Sequence, residues 1–180
     1  RRLGIKSHRH PQNRGYGGNQ KTCYRTALER GADIVVMVHP DHQYDPTVIP
    51  HLLEALRAGN FDAAFGSRML GGRPIQGGMP KWKFFGNILL TAIENATFLI
   101  YLTEYHSGFR AYTREAALRM SIVSEFSYTL ESIIQAGKQK MAIAHVQVRT
   151  NPRVRPSRLF DSVWGYVKAS SATILRIYAM

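Results

Sequence analysis

The side chains best suited to chemistry lie between Ile34 and Asp45, in the stretch IVVMVHPDHQYD. Five consecutive apolar residues run into a cluster of polar and acidic ones, the types that act as ligands. An apolar run rich in Val and Ile suits a strand covered on both faces, as in parallel α/β sheets. Ligands bind such sheets just beyond the carboxyl ends of their strands. Side chains alternate along an extended segment, so His39, Asp41 and Gln43 face one way if the extension continues past Val38.

The elements that must position these residues are legible on either side. Asn13 to Gln20, NRGYGGNQ, reads as a glycine-rich turn, and Lys21 to Arg30 as a short helix stopped by Gly31. A glycine-rich loop entering a helix is a generic anion site. Asp45-Pro46 supplies an N-cap with proline at the first helical position, and Leu52, Leu53 and Leu56 make an apolar stripe ending at Gly59. Phe61 to Phe65 reads as a second strand ending at Gly66-Ser67-Arg68, so strand, helix and strand form a right-handed crossover with parallel neighbours. Gly71 to Pro80 is a mobile loop placed to act as a flap over a ligand.

Phe84 to Thr103 is the most apolar stretch, but Asn87, Glu94 and Asn95 are costly in hydrocarbon, so it reads as a buried or interfacial helix rather than a membrane span. Helices follow from about Arg114 and over Tyr128 to Lys138, then a strand over Met141 to Arg149. Asp161 to Met180 reads as a closing helix carrying Trp164, Val167 and Ile174 near one face.

With 180 residues and 44% hydrophobic content, the chain suits a single α/β domain. Cys23 is alone, which excludes an internal disulfide, and no Cys/His spacing matches a structural zinc site. A reducing, cytoplasmic setting fits, and the polar, basic N-terminal stretch does not read as a secretory signal. The formal charge of +12 is concentrated in Arg1 to Arg30 and Arg149 to Arg158. Such an excess implies an anionic partner, and charge alone leaves nucleic acid, acidic lipid headgroups and phosphorylated small molecules open.

The ordered set NRGYGG, VVMVHPDHQYDP, GSR, a Gly/Pro loop, SGFRAYTRE and SYTLE resembles family 2 glycosyltransferases of the GT-A fold. The resemblance covers nearly the whole chain and points to the branch related to dolichol-phosphate mannosyltransferase and other polyprenyl-phosphate sugar transferases. It implies an α/β fold with a mostly parallel sheet flanked by helices, with residues 1–180 as a single catalytic-domain fragment. Family members carry D-x-D where this chain has His39-Pro40-Asp41, so His39 replaces the first acid. They also begin with a P-x-Y-N-E type strand and an acidic pair that grips the nucleoside. Neither motif is in this chain, which is expected to lack its first strands.

The implied reaction is transfer of a sugar from a nucleotide-diphosphate sugar, by metal-assisted inverting displacement, in cell-envelope glycan biosynthesis. The acceptor is a polyprenyl or dolichyl phosphate or a glycan, reached by peripheral contact at the cytosolic membrane face. The resemblance makes Asp41 a ligand of a divalent ion, with Gln43 and His39 beside it. Oxygen ligands suit Mg²⁺ and an imidazole suits Mn²⁺. The ion supplies positive charge where the departing diphosphate develops negative charge.

Arg68, following a strand end, and Arg110, with Ser107 and Gly108, are candidate phosphate ligands. Arg153, Ser157 and Arg158 are candidates for the acceptor side. Glu104 and Glu131 are the carboxylates available as a base, which a sugar hydroxyl needs and a phosphate acceptor does not. His42 reads as a solvated loop residue. Two other readings stand beside this one. The basic arm with Tyr16 and Tyr24 could serve a nucleic-acid-binding module, although that leaves the HPDHQ strand end unexplained and no nucleic acid is expected. The incomplete acid pair could instead mark a non-catalytic scaffold.

Overall fold

A computed structural model describes residues 4–41, 43–71, 74–121 and 128–151. His42, the acceptor-side candidates Arg153, Ser157 and Arg158, and the expected closing helix over 161–180 lie outside the described residues. Within them the chain runs α1 (Gly15–Glu29), β1 (Ile34–Met37), α2 (Ile49–Arg57), β2 (Ala63–Ser67), α3 (Lys81–Phe98), β3 (Arg110–Thr113), α4 (Arg114–Arg119), α5 (Tyr128–Lys138) and β4 (Ile143–Gln147).

The four strands form one sheet in the order β1-β3-β2-β4. β3 is antiparallel to both β1 and β2, and β4 is parallel to β2. Three of the four strands therefore run one way, but two of the three pairings are antiparallel, so the described sheet is mixed rather than mostly parallel. The crossover from β1 through α2 to β2 is present, but its strands are not neighbours. The chain returns after α3 in the opposite sense, and β3 hydrogen-bonds on both sides, keeping β1 and β2 apart. Consequently β1 is an edge of the described sheet. Its Ile34, Val35 and Val36 are half-buried rather than covered on both faces, while β2 is buried throughout.

Side-chain alternation sorts the core into two layers. Ala63, Phe65 and Tyr112 point to one face with Tyr24 of α1, Ala116 of α4, and Tyr128 and Ile133 of α5. Ala64, Phe109 and Ala111 point to the other, against Leu52 and Leu56 of α2. The start of α2 follows from its capping chemistry. The Asp45 carboxylate accepts the Thr47 N–H at 2.9 Å and the Thr47 hydroxyl at 2.7 Å, opening a 3-10 turn over Pro46–Val48 that leads into the helix.

The start of α1 corrects the expectation of a glycine-rich turn. The helix begins at Gly15, with the Asn13 side chain accepting the Gly15 N–H at 2.9 Å, and Gly17 and Gly18 are buried within it. A Cβ on Gly18 would stand 2.7 Å from Cβ of Arg14, so close packing, not a turn, uses that glycine. Gly31, with φ of +81°, ends the helix as expected.

Candidate active site

Because β1, β2 and β4 run in one direction and β3 in the other, the ends of the first three and the start of the fourth share one edge of the sheet. The Met37↔Arg110 register sets His39 and Gly108 at matching offsets beyond the last pair. They are in close contact: a Cβ on Gly108 would lie 2.7 Å from His39 Nε2. Only a residue without a side chain admits the imidazole there. The backbone N–H of Gly108 donates to the Tyr44 hydroxyl at 3.2 Å, and the Tyr44 ring stacks on Phe109 at 5.5 Å and 8°. The HPDHQY loop and the SGFR segment thus form one unit.

His39 is held from a second side by α1. The Tyr16 hydroxyl lies 3.2 Å from His39 Nε2, and burial pushes the Tyr16 phenol up to about 12, so it keeps its proton at neutral pH. Asp41 is exposed, and its carboxylate accepts the Gln43 N–H at 3.1 Å, which fixes the turn that follows the strand. The Gln43 carbonyl accepts the Asn151 N–H at 2.9 Å, and Tyr44 bridges to Thr150, so the segment after β4 closes onto the same loop.

Arg68 and Arg110 behave differently from exposed phosphate ligands. Arg68 is 7% exposed and Glu104 3% exposed. The Glu104 carboxylate accepts the Arg68 backbone N–H at 2.8 Å, Nε at 2.7 Å, the Arg68 terminal guanidinium nitrogen, and Asn87 Nδ2 at 3.1 Å. Burial opposes the charge on Arg68, and Glu104 more than offsets that, holding the guanidinium above its ordinary value.

Arg110 is 1% exposed. Its nitrogens donate to the carbonyls of Tyr105, Ser107 and Thr129 and to Ser132 Oγ, and its guanidinium carbon lies 4.6 Å from the centre of the Phe65 ring. Both fork-shaped cations are therefore engaged by the protein's own loops and by α5. Ser107 is buried, its hydroxyl accepting the Phe109 N–H at 3.4 Å. Glu131 is buried in α5, where it accepts from Gln135 Nε2 at 3.2 Å.

The fold sets His39 against Gly108, with Asp41 and Gln43 in the loop that follows His39, and places Glu131 on α5, the helix whose Thr129 and Ser132 accept from Arg110. Tyr16 and Tyr44 are the site residues that residue type did not announce. Both sit inside stretches already marked by their other residues, and only the folded chain shows that Tyr16, carried by α1, meets His39 and that Tyr44, in the loop after β1, meets Gly108. Among the described residues, no three His, Cys, Asp or Glu side chains gather as a metal cage. The donor set fits a different mode. A hard cation held by one or two protein ligands takes its remaining oxygens from substrate phosphates, and Asp41 offers an exposed carboxylate for that arrangement.

This architecture is that of the GT-A glycosyltransferases. The structure of glucosyl-3-phosphoglycerate synthase from Mycobacterium tuberculosis in complex with uridine diphosphate superposes with a TM-score of 0.63 at 21% identity, over 93% of this chain and 56% of that one. The same enzyme in complex with Mn²⁺, uridine diphosphate and phosphoglyceric acid gives 0.62 at 21% identity, over 93% and 55%. The chain belongs to glycosyl transferase family 2, whose model matches residues 1–120.

Among curated relatives, the low-salt glycan biosynthesis hexosyltransferase of Haloferax volcanii is 32% identical over 163 residues, 88% of this chain and 38% of that protein. The UDP-N-acetylglucosamine–dolichyl-phosphate N-acetylglucosaminyltransferase of Methanococcus voltae is 32% identical over 151 residues, 79% and 57%. The chain thus spans about half the length of the proteins it matches.

Proposed function

We propose that residues 1–180 form the core of a catalytic domain that transfers a sugar from a nucleotide-diphosphate sugar to a polyprenyl phosphate at the cytosolic face of a membrane. The observation that carries this reading is the convergence, at one sheet edge, of the loop bearing Asp41 with Gly108 of the SGFR segment, in a chain of this family. Relatives named for dolichyl-phosphate and undecaprenyl-phosphate transfer support the acceptor class.

In the proposed step, an oxygen of the acceptor phosphate attacks the anomeric carbon from the face opposite the leaving group. The bond from that carbon to the diphosphate oxygen breaks, the electron pair leaves with the diphosphate, and the anomeric centre inverts. A phosphate monoester is largely deprotonated at neutral pH, so no base has to remove a proton. That suits a site whose candidate bases, Glu104 and Glu131, are buried and hydrogen-bonded.

Asp41, with His39 and Gln43 beside it, would hold a divalent ion, which supplies charge to the departing diphosphate. His39, kept in place by Tyr16 and Gly108, sets the shape of that loop. Arg68 and Arg110 act as positioning residues, each holding a strand end in register for the loops that touch substrate. Arg153, Ser157 and Arg158 remain proposed for the acceptor side. The test is transfer of labelled sugar to undecaprenyl phosphate by the full-length protein and its Asp41→Ala variant. Transfer that collapses in the variant supports the reading, and transfer that continues unchanged removes Asp41 from it.

A further inference from the structure

Helix α3 is built inside out. A helix on a soluble protein turns its apolar stripe to the core and its polar side to water. Here the inward side is mostly polar, with Phe98 near its end packing on the core. Asn87 and Thr91 are buried, Asn87 donates to Glu104, and Glu94 lies 3.4 Å from His106. Asn95 makes two hydrogen bonds with the Leu102 backbone, at 2.9 and 2.8 Å. The outward side is apolar. Trp82 is 72%, Phe85 65% and Leu89 62% exposed, and Ile93 lies on the same stripe at helical spacing. Ile88 and Leu90 widen it, and exposed Leu99 and Tyr101 extend it past the end of the helix. A contiguous apolar surface of this kind marks an interaction site.

We infer that the outward face of α3 docks in the interface of an anionic lipid bilayer, lying in the membrane plane. Charge selects this occupant. Lys81 and Lys83 stand exposed at the start of the helix, on either flank of the apolar stripe, and the only acid in α3, Glu94, is on the inward side. The chain as a whole carries +12. Aromatic residues that prefer the headgroup level, Trp82 and Tyr101, bracket the patch. Among the described residues, no helix is long and apolar enough to cross a membrane, so the face can only lie along one.

The inference deepens the proposed function and rests on its lipid-linked acceptor. Asn87 joins α3 to Glu104 and through it to Arg68 at the end of β2, so docking α3 fixes the strand ends against the membrane surface.

The test is flotation of the full chain with vesicles of phosphatidylcholine, with and without about one third phosphatidylglycerol. The wild-type chain is expected to float with the anionic vesicles and to be released by salt. Phe85→Ser combined with Leu89→Ser should weaken the partition by at least about tenfold. Lys81→Glu should weaken it by about fivefold or more without touching the apolar stripe. These positions face solvent, so circular dichroism should be unchanged.

Absence of wild-type flotation, or equal flotation of the double serine variant, overturns the inference. So does a wild-type dimer that the same variant dissociates without any vesicle binding, which would assign the face to a second copy. The transfer assay is run separately, with acceptor dispersed in detergent. Vesicle binding without transfer would retain the docking face and reject the proposed reaction.

Discussion

Replacing Glu104 by Gln keeps the size and shape of the side chain and removes its charge. In the structure its two oxygens accept the Arg68 backbone N–H, two guanidinium nitrogens of Arg68 and the Asn87 amide. A carboxamide has one acceptor atom. In one orientation its NH₂ faces the Arg68 backbone N–H, and in the other it faces the guanidinium, so a buried donor always meets a donor. The guanidinium also loses its counter-charge in a setting where both partners are nearly inaccessible, 7% and 3% exposed, so solvent screening gives little relief.

Removing one partner of such a pair costs about 3–5 kcal/mol, a large part of the roughly 5–15 kcal/mol that holds a domain together. With a urea m-value of about 2 kcal/mol/M for a chain of this size, the midpoint should fall by about 1.5–2.5 M. The assay is urea unfolding followed by circular dichroism. A paired replacement, Arg68→Met with Glu104→Leu, should recover most of the loss, because neither charge is then left alone. A shift below about 0.5 M for Glu104→Gln would refute the reasoning, since no buried, fully engaged ion pair could be lost so cheaply.

Three further outcomes follow from the same contacts. Gly108→Ala places a Cβ 2.7 Å from His39 Nε2, so the ring must retreat by about 0.7 Å to reach ordinary contact. The expected result is a stability loss of about 1 kcal/mol in urea unfolding but about a 10²-fold drop in kcat/KM for sugar transfer, because small misplacements at a site cost far more than they destabilise. Gly66→Ala brings a Cβ within 2.8 Å of Val148 Cγ1 and 3.1 Å of the Phe109 carbonyl oxygen, in the middle of the sheet. Overpacking there should cost about 1–3 kcal/mol, read as a lowered thermal midpoint.

His145, half-buried on β4, has its pKa pushed down by burial. The unfolded chain then takes up that proton first as pH falls, so stability should decline below about pH 6.5. His145→Gln should flatten that decline in urea midpoints measured across the range.

The strongly patterned elements were readable because local chemistry decides them. Asp45-Pro46 caps the next segment whatever lies around it, and the Leu52/Leu56 stripe has one face to bury. β3 was not readable. Arg110 to Thr113 is four residues long, opens on a charged side chain and merges into the next helix, so it carries no alternation long enough to notice. Missing it made β1 and β2 look like neighbours and hid the antiparallel centre of the sheet.

The glycines of NRGYGG resemble a turn in isolation, and only the tight approach of Gly18 to Arg14 explains their place in a helix. The site shows the same division. The place of Asp41 just past β1 was legible from the apolar run before it, whereas the contacts of Arg68 and Arg110 depend on partners as distant as Glu104 and Ser132, which spacing cannot pair. That the fold buries both arginines is something their places beside strand ends do not announce.

The account stands most directly on kcat/KM for transfer of sugar from a nucleotide-diphosphate donor to undecaprenyl phosphate, compared between the full-length protein and its Asp41→Ala variant in the presence of Mn²⁺ or Mg²⁺. A fall of about 10²-fold or more, corresponding to several kcal/mol of lost charge stabilisation, with a loss of stability of only about 1 kcal/mol from the missing Gln43 N–H bond at an exposed turn, is the result predicted. Equal turnover by the two proteins would contradict it.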